Sequence, residues 1–214
     1  MGVTVSRHAG FTVLEMLVAL GSSLVILAAV GGFARAEQRA FDRQSRHLLL
    51  RETSRRVLGT IARELRAAGF APVTGSFDGA RDGLAVAETD RLEIRGDFHG
   101  ASTNDPPDGD LDADSDERIG FVLNAARGVI SQTIGRQTQP LTLESAVPVR
   151  GLVFRYYDAC GDEIALSPGT ALDEAARRSV QRVAIELTVR NPQGDALTNG
   201  ATATLRDRYA LRCE

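Results

Sequence analysis

The chain has 214 residues, a formal net charge of −3 and an isoelectric point near 5.7. This balance gives no bulk attraction to nucleic acid, and the absence of tryptophan argues against base-stacking surfaces. All 25 basic residues are arginines. The length allows one membrane anchor and one modest domain, since the roughly 180 residues beyond an anchor can bury a core.

The first part of the chain combines a polar leader with a long apolar segment. Residues 1–10, MGVTVSRHAG, lack the apolar centre of a secretory signal peptide. Residues 11–34 are apolar almost throughout, with no charged residue from Met16 to Ala34. A helix of about 20 apolar residues crosses a bilayer core. We therefore predict a transmembrane helix over residues 11–34.

Glu15 is the one carboxylate of this segment. An ionisable side chain at membrane depth costs about 2.5–3.5 kcal/mol, so it is a functional candidate whose charge partner has to be found. The run GFTVLE from Gly10 to Glu15, with the apolar residues after it, resembles the class III signal of type IV pilins and pseudopilins. The resemblance implies that prepilin peptidase cleaves between Gly10 and Phe11 and methylates the new amino terminus. It also implies that Glu15 of one subunit neutralises the terminal amine of a neighbouring subunit.

Two other interpretations of the apolar segment stay open. The first is a secretory signal peptide with an A-x-A cleavage site at residues 34–36, although the apolar run is longer than usual and contains Glu15. The second is an ordinary single-span anchor. More arginines follow the span than precede it, and the positive-inside rule then places the C-terminal part in the cytoplasm. The pilin signal, which is the more specific pattern, places that part outside.

The helix is predicted to continue past the membrane as an amphipathic half, residues 35–69. Leu58, Ile61, Leu65 and Ala68 form one helical stripe, and Gly69 suits a left-handed residue at the helix end. The phrase IARELRAAGF, residues 61–70, resembles the end of this helix in minor pilins of the PilW family. The resemblance implies an α+β, pilin-like fold, in which the long N-terminal helix packs on an antiparallel β-sheet.

Residues 70–214 are predicted to form a periplasmic or extracellular β-sheet domain. Short alternating runs separated by turn residues favour antiparallel pairing. A short helix is also predicted over residues 172–177. The predicted strands cover residues 92–95, 119–123, 129–134, 149–157, 183–189 and 201–211.

The two cysteines, Cys160 and Cys213, are predicted to form a disulfide in an exported domain, and two unpaired thiols are the alternative. On the chain-entropy model, closing a loop of roughly 54 residues contributes about 4 kcal/mol. Two thiols without a neighbouring histidine make a poor zinc site.

An acidic run, TNDPPDGDLDADSDER at residues 103–118, presents alternating carboxylates that suit Ca²⁺. It does not match an EF-hand loop, and a solvated acidic loop is the alternative interpretation. The candidate ligands are Asp108, Asp110, Asp112, Asp114 and Asp116.

No catalytic motif is found, because His8, His47 and His99 have no Ser or Cys partners in a recognisable arrangement. We therefore expect no enzymatic activity. The resemblance implies a minor pilin that takes part in priming or at the tip of a type IV pilus. Its partners would be other minor and major pilins, prepilin peptidase and the inner-membrane assembly platform. The chain would start in the inner membrane with its N-terminus in the cytoplasm and move to the pilus or pseudopilus. The alternatives are a type II secretion pseudopilin of the J type and a membrane-anchored calcium-binding module.

Overall fold

A computed structural model describes residues 12–72, 75, 83–100, 105–111, 117–142, 147–167, 169–190, 194 and 196–205. The protein has an α+β fold, in which a long N-terminal helix precedes antiparallel sheets, consistent with the expected pilin-like class. The helices are α1 (Val13–Ala67) and α2 (Glu174–Ser179). The strands are β1 (Leu84–Ala87), β2 (Arg91–Arg95), β3 (Arg118–Asn124), β4 (Val129–Ile134), β5 (Gln137–Pro140), β6 (Val149–Tyr157), β7 (Glu163–Ile164), β8 (Arg182–Arg190) and β9 (Ala196–Thr204).

The chain divides into two compact units, Met1–His47 and Leu48–Glu214. In its described part, the first unit consists of the N-terminal portion of α1. Its large apolar side chains are exposed, from 59% at Leu24 to 76% at Val13. The domain boundaries predicted at residues 34 and 69 stay a prediction.

The second unit begins with the C-terminal part of α1, whose buried side chains form the stripe expected from the sequence. Leu58, Ile61 and Leu65 join one core cluster with residues of both sheets. The helix ends at Ala67, followed by Gly69 with a φ of 80°. The Gly69 N–H donates to the Arg95 carbonyl at 2.8 Å, so the helix end is fastened to the end of β2.

Strands β1 to β5 form one sheet, here sheet 1, in which every neighbour is also the next strand in the chain and all pairs are antiparallel. Alternation along β2 places Leu92 and Ile94 in the core and Arg91, Glu93 and Arg95 on the opposite face. Such alternation is what a half-buried strand requires, because successive side chains point to opposite faces.

Strands β6 to β9 form a second sheet, sheet 2, with the order β7-β6-β8-β9. The nine-residue strands β6 and β8 carry most of its core, including Leu152, Phe154, Ile185 and Leu187. Sequence analysis predicted β2, β3, β4, β6 and β8 within one residue at each end. It did not predict β1, β5 or β7, nor the division into two sheets. The last strand is Ala196–Thr204, not 201–211, and residues 206–211 lie outside the described part.

Backbone and side-chain hydrogen bonds join the two sheets at the turn between β1 and β2. The Tyr156 hydroxyl donates to the Glu88 carbonyl at 2.7 Å, and the Phe154 N–H donates to the Thr89 carbonyl at 2.8 Å. Burial, and to a smaller extent the negative charges of Glu88 and Asp90, raise the pKa of Tyr156 above its ordinary value. Tyr156 therefore stays protonated and remains a donor to this turn.

We expect Tyr156→Phe to lower the free energy of unfolding by about 1 kcal/mol or more, because the Glu88 carbonyl loses its buried donor. Tyr157→Phe is the matched control, since the Tyr157 hydroxyl has no hydrogen-bond partner in the part of the chain that is described. Urea unfolding of both variants measures the difference. Equal stability of the two variants would contradict the tie between the sheets.

Candidate functional site

Thr12 caps the first turn of α1. Its hydroxyl oxygen accepts a hydrogen bond from the Glu15 N–H at 3.2 Å, and its carbonyl accepts from the Met16 N–H at 3.1 Å. Because the helix begins at Val13, Thr12 is the N-cap and Glu15 the third helical residue. Thr or Ser followed three positions later by Glu or Gln is the spacing of a capping box. Sequence analysis named Glu15 but missed Thr12, although this spacing was visible.

This geometry gives Glu15 two distinct physical roles. As the third helical residue, Glu15 has the spacing to complete a capping box with Thr12, and an uncharged Gln has the same hydrogen-bonding capacity there. As an anion in the first turn it also interacts favourably with the positive end of the helix dipole. Neither effect requires a second molecule. Glu15→Gln keeps the capping capacity and removes the charge, so this variant separates capping from the effects of charge.

The helix beyond Glu15 is suited to apolar surroundings. The apolar side chains at its surface are exposed within the first unit, and no charge occurs from Met16 to Ala34. The Ser22 and Ser23 hydroxyls donate to the Val18 and Ala19 carbonyls, each at 2.8 Å. These internal bonds satisfy the hydroxyl groups without water, as a membrane interior requires. By length and composition, α1 could cross a membrane.

The predicted processing site, Gly10 and Phe11, lies outside the described residues. The described helix begins two residues after it in the chain. Cleavage between Gly10 and Phe11 stays a prediction.

Two buried carboxylates hold the segments around the acidic run: Asp97, which the sequence did not single out, and Glu117, which flanks the run in the sequence. The Asp97 side chain is fully buried and accepts from the Asp108 N–H at 3.2 Å and the Gly109 N–H at 3.1 Å. Glu117, 1% exposed, accepts from the His99 N–H at 3.3 Å. The burial and hydrogen bonds of both residues could not be predicted, because they depend on loops that come together only in the fold.

Only part of the predicted calcium site is described. The Asp108 carboxylate accepts from the Asp110 N–H at 3.2 Å, which is a local turn interaction. Asp112, Asp114 and Asp116 lie outside the described residues. Within the described ranges, no group of three or more His, Cys, Asp or Glu side chains could hold a metal ion. Binding of Ca²⁺ by the five aspartates stays a prediction.

Cys160 is disulfide-bonded and follows the end of β6. Its N–H donates to the Asp158 carboxylate at 2.9 Å. At the same end of sheet 2, the Leu205 N–H donates to the Gln181 carbonyl at 2.9 Å, and the Gln181 N–H donates to the Tyr157 carbonyl at 2.8 Å. These bonds bring the end of β9 across the sheet toward β6. The bridge to Cys213 stays a prediction, since that residue lies outside the described part.

Comparison with models of known protein families gives no match, and comparison with curated proteins gives none either. The class of protein that the fold defines is an α+β protein with one long helix that could span a membrane. Thr12, Glu15 and the apolar residues after them are the candidate functional residues of this protein.

We expect replacement of both cysteines, Cys160 and Cys213, by serine to lower the free energy of unfolding by about 4 kcal/mol under oxidising conditions. Non-reducing peptide mapping of the wild-type chain should give one peptide pair that joins the two residues. Rapid alkylation of either thiol in the folded, unreduced protein would contradict the bridge.

Proposed function

We propose that this chain is a minor pilin that takes part in type IV pilus assembly, in priming or at the tip. The observation that carries the proposal is the position of Glu15, the one charged residue in the helical segment Val13–Ala34, whose apolar side chains are exposed. A side chain of this kind is costly in lipid unless a positive group neutralises it. The terminal amine that processing creates on a neighbouring subunit is such a group.

The proposed mechanism begins in the inner membrane. Prepilin peptidase removes residues 1–10, and the helical segment after Phe11 holds the subunit in the bilayer. During assembly the segment moves from lipid to a filament interior, where other helices cover its apolar surface. Glu15 then pairs with the amine of an adjacent pilin subunit, and this pair favours correct axial register.

The joint between helix and sheet domain supports this mechanism. Leu58, Ile61 and Leu65 bury one face of α1 in the core, and the helix end is hydrogen-bonded to β2 through Gly69. Extraction of the helix from lipid would therefore carry the sheet domain with it.

We expect the mature protein to begin at Phe11, with a methylated amine, in cells that contain prepilin peptidase. Intact-mass and N-terminal peptide measurements on protein from sheared surface fibres check this. A chain that begins at Glu37, as expected for signal-peptide cleavage after Ala36, would contradict the proposal. An uncut chain would contradict it as well.

We expect Glu15→Gln to abolish incorporation into fibres while α1 and the Thr12 cap persist, because Gln keeps the hydrogen-bonding capacity but loses the charge. Glu15→Leu should fail equally in assembly and should hold the subunit more firmly in the membrane. The readout is the ratio of this protein in sheared fibres to that in the inner membrane.

Glu37→Gln is the matched control, since it removes one exposed carboxylate from the same helix beyond the apolar segment. It should leave fibre incorporation unchanged. Wild-type incorporation of Glu15→Gln would show that capping alone accounts for Glu15 and would contradict the proposed charge pairing.

A further inference from the structure

The outer face of sheet 1, opposite the core, carries a cluster of charged side chains. Arg91, Glu93 and Arg95 alternate along β2, and Arg118 begins β3. The strand register places Arg95 directly opposite Arg118, and Glu93 opposite Gly120. Like charges at opposed positions of an antiparallel pair are destabilising.

A surface pocket of about 420 Å³ lies within this cluster. Its lining includes Arg91, Glu93 and Arg118, with Thr133 on the neighbouring strand β4. Gly120 lies between them and leaves the space open, because it has no side chain. A Cβ at this position would meet the Thr133 Cβ at an ordinary contact distance of 3.7 Å. A larger side chain at position 120 would therefore extend into the pocket without a backbone clash.

Arg118 is the unusual member of the lining. Its Nε atom is buried and has no hydrogen-bond partner, and its guanidinium makes no ion pair in the described part of the chain. More than nine in ten buried polar groups in native proteins have a partner, and an unpartnered one costs stability. Because the Nε atom is buried, the donors that Arg118 can offer to an anion in the open pocket are the terminal N–H groups of its guanidinium.

The charge balance of the pocket indicates which anion fits. Arg91 lies 3.7 Å from the Glu93 carboxylate, so these two side chains largely compensate each other. Arg118 then leaves about one positive charge for the ligand. A dianionic phosphate would add repulsion from Glu93, whereas a carboxylate carries one charge and matches the planar fork of a guanidinium.

We propose that this pocket binds the carboxylate of an acidic side chain on a partner protein, with Arg118 as the principal donor. Sheet 1 thereby becomes an interaction surface for an acidic peptide segment. The inference does not depend on the filament role, because all of its residues belong to the sheet domain.

The direct test uses the full chain in detergent and two matched peptides, acetyl-Gly-Gly-Glu-Gly-Gly-amide and its Gln counterpart. We expect the Glu peptide to shift the Arg118 Nε–H resonance in NMR spectra and the Gln peptide to leave it in place. The Glu peptide should also raise the melting temperature by about 2–4 °C once its concentration exceeds Kd several-fold. Inorganic phosphate is the third arm and should have a weaker effect than the Glu peptide.

Two variants separate charge from shape. Arg118→Gln should abolish the response to the Glu peptide and leave the melting temperature of the free protein unchanged or higher, since it removes an unsatisfied group. Gly120→Val should abolish the response by filling the pocket while Arg118 remains. Arg155→Gln is the control: it removes an arginine from sheet 2 that pairs with Glu163 and Glu186, and it should keep the full response.

Several results would overturn the proposal. An unmoved Arg118 Nε–H resonance, or equal shifts with the Glu and Gln peptides, would show that no carboxylate site exists. A stronger response to phosphate would overturn the assigned ligand class. A wild-type rise of the melting temperature with the Glu peptide in Arg118→Gln or Gly120→Val would exclude the pocket as the binding site. If a variant fails to fold, the Arg118 Nε–H resonance of the unmodified protein decides whether a carboxylate binds.

Discussion

An apolar helical surface without a partner is the constraint on which the rest of this molecule depends. The apolar side chains of the first unit, including Val13, Leu24 and Phe33, are largely exposed, and the described part of this unit forms only helix beyond Thr12. Exposed apolar area of this extent is unfavourable in water and has to be covered by lipid or by other protein. Glu15 is the complication, because either cover is apolar and the carboxylate needs a counter-charge within it.

The second unit differs, since the C-terminal part of α1 and the long strands of both sheets bury one face within the chain. One stripe of α1 and the inner faces of both sheets form a single core cluster. Polar links fix the arrangement: Gly69 joins the helix end to β2, Tyr156 joins sheet 2 to the turn after β1, and Asn199 donates to the buried Ser54 hydroxyl at 2.9 Å. A domain with its own core is thus attached to a helix whose N-terminal part needs lipid or another protein to cover its apolar side chains.

Much of the fold could be predicted because local pattern and tertiary role agree. The stripe from Leu58 to Leu65 and the alternation in β8 follow directly from helix and strand periodicity. The missed strands lack this agreement: β5, QTQP, is exposed throughout, and β7 has two residues. Their strand conformation comes from pairing with β4 and β6, which no local window contains.

The candidate sites divide in the same way. Glu15 was identifiable because an acidic residue within an apolar run is unusual in the sequence itself. The cap at Thr12 could have been found from its spacing of three residues to Glu15. The functions of Asp97 and Arg118 depend on residues that meet only through folding. The position of Arg95 opposite Arg118 depends on the register of β2 and β3. A slip of one residue in that register would move every side chain of the strand to the other face of the sheet.

What covers the apolar segment can be measured directly. A photo-crosslinking amino acid at Leu17, two residues beyond Glu15, reports the immediate surroundings of the helix in intact cells. The account predicts crosslinks to the apolar helices of other pilin subunits in the fibre fraction, and loss of these crosslinks when prepilin peptidase is absent. Crosslinks to lipid alone, in cells that assemble fibres, would contradict it.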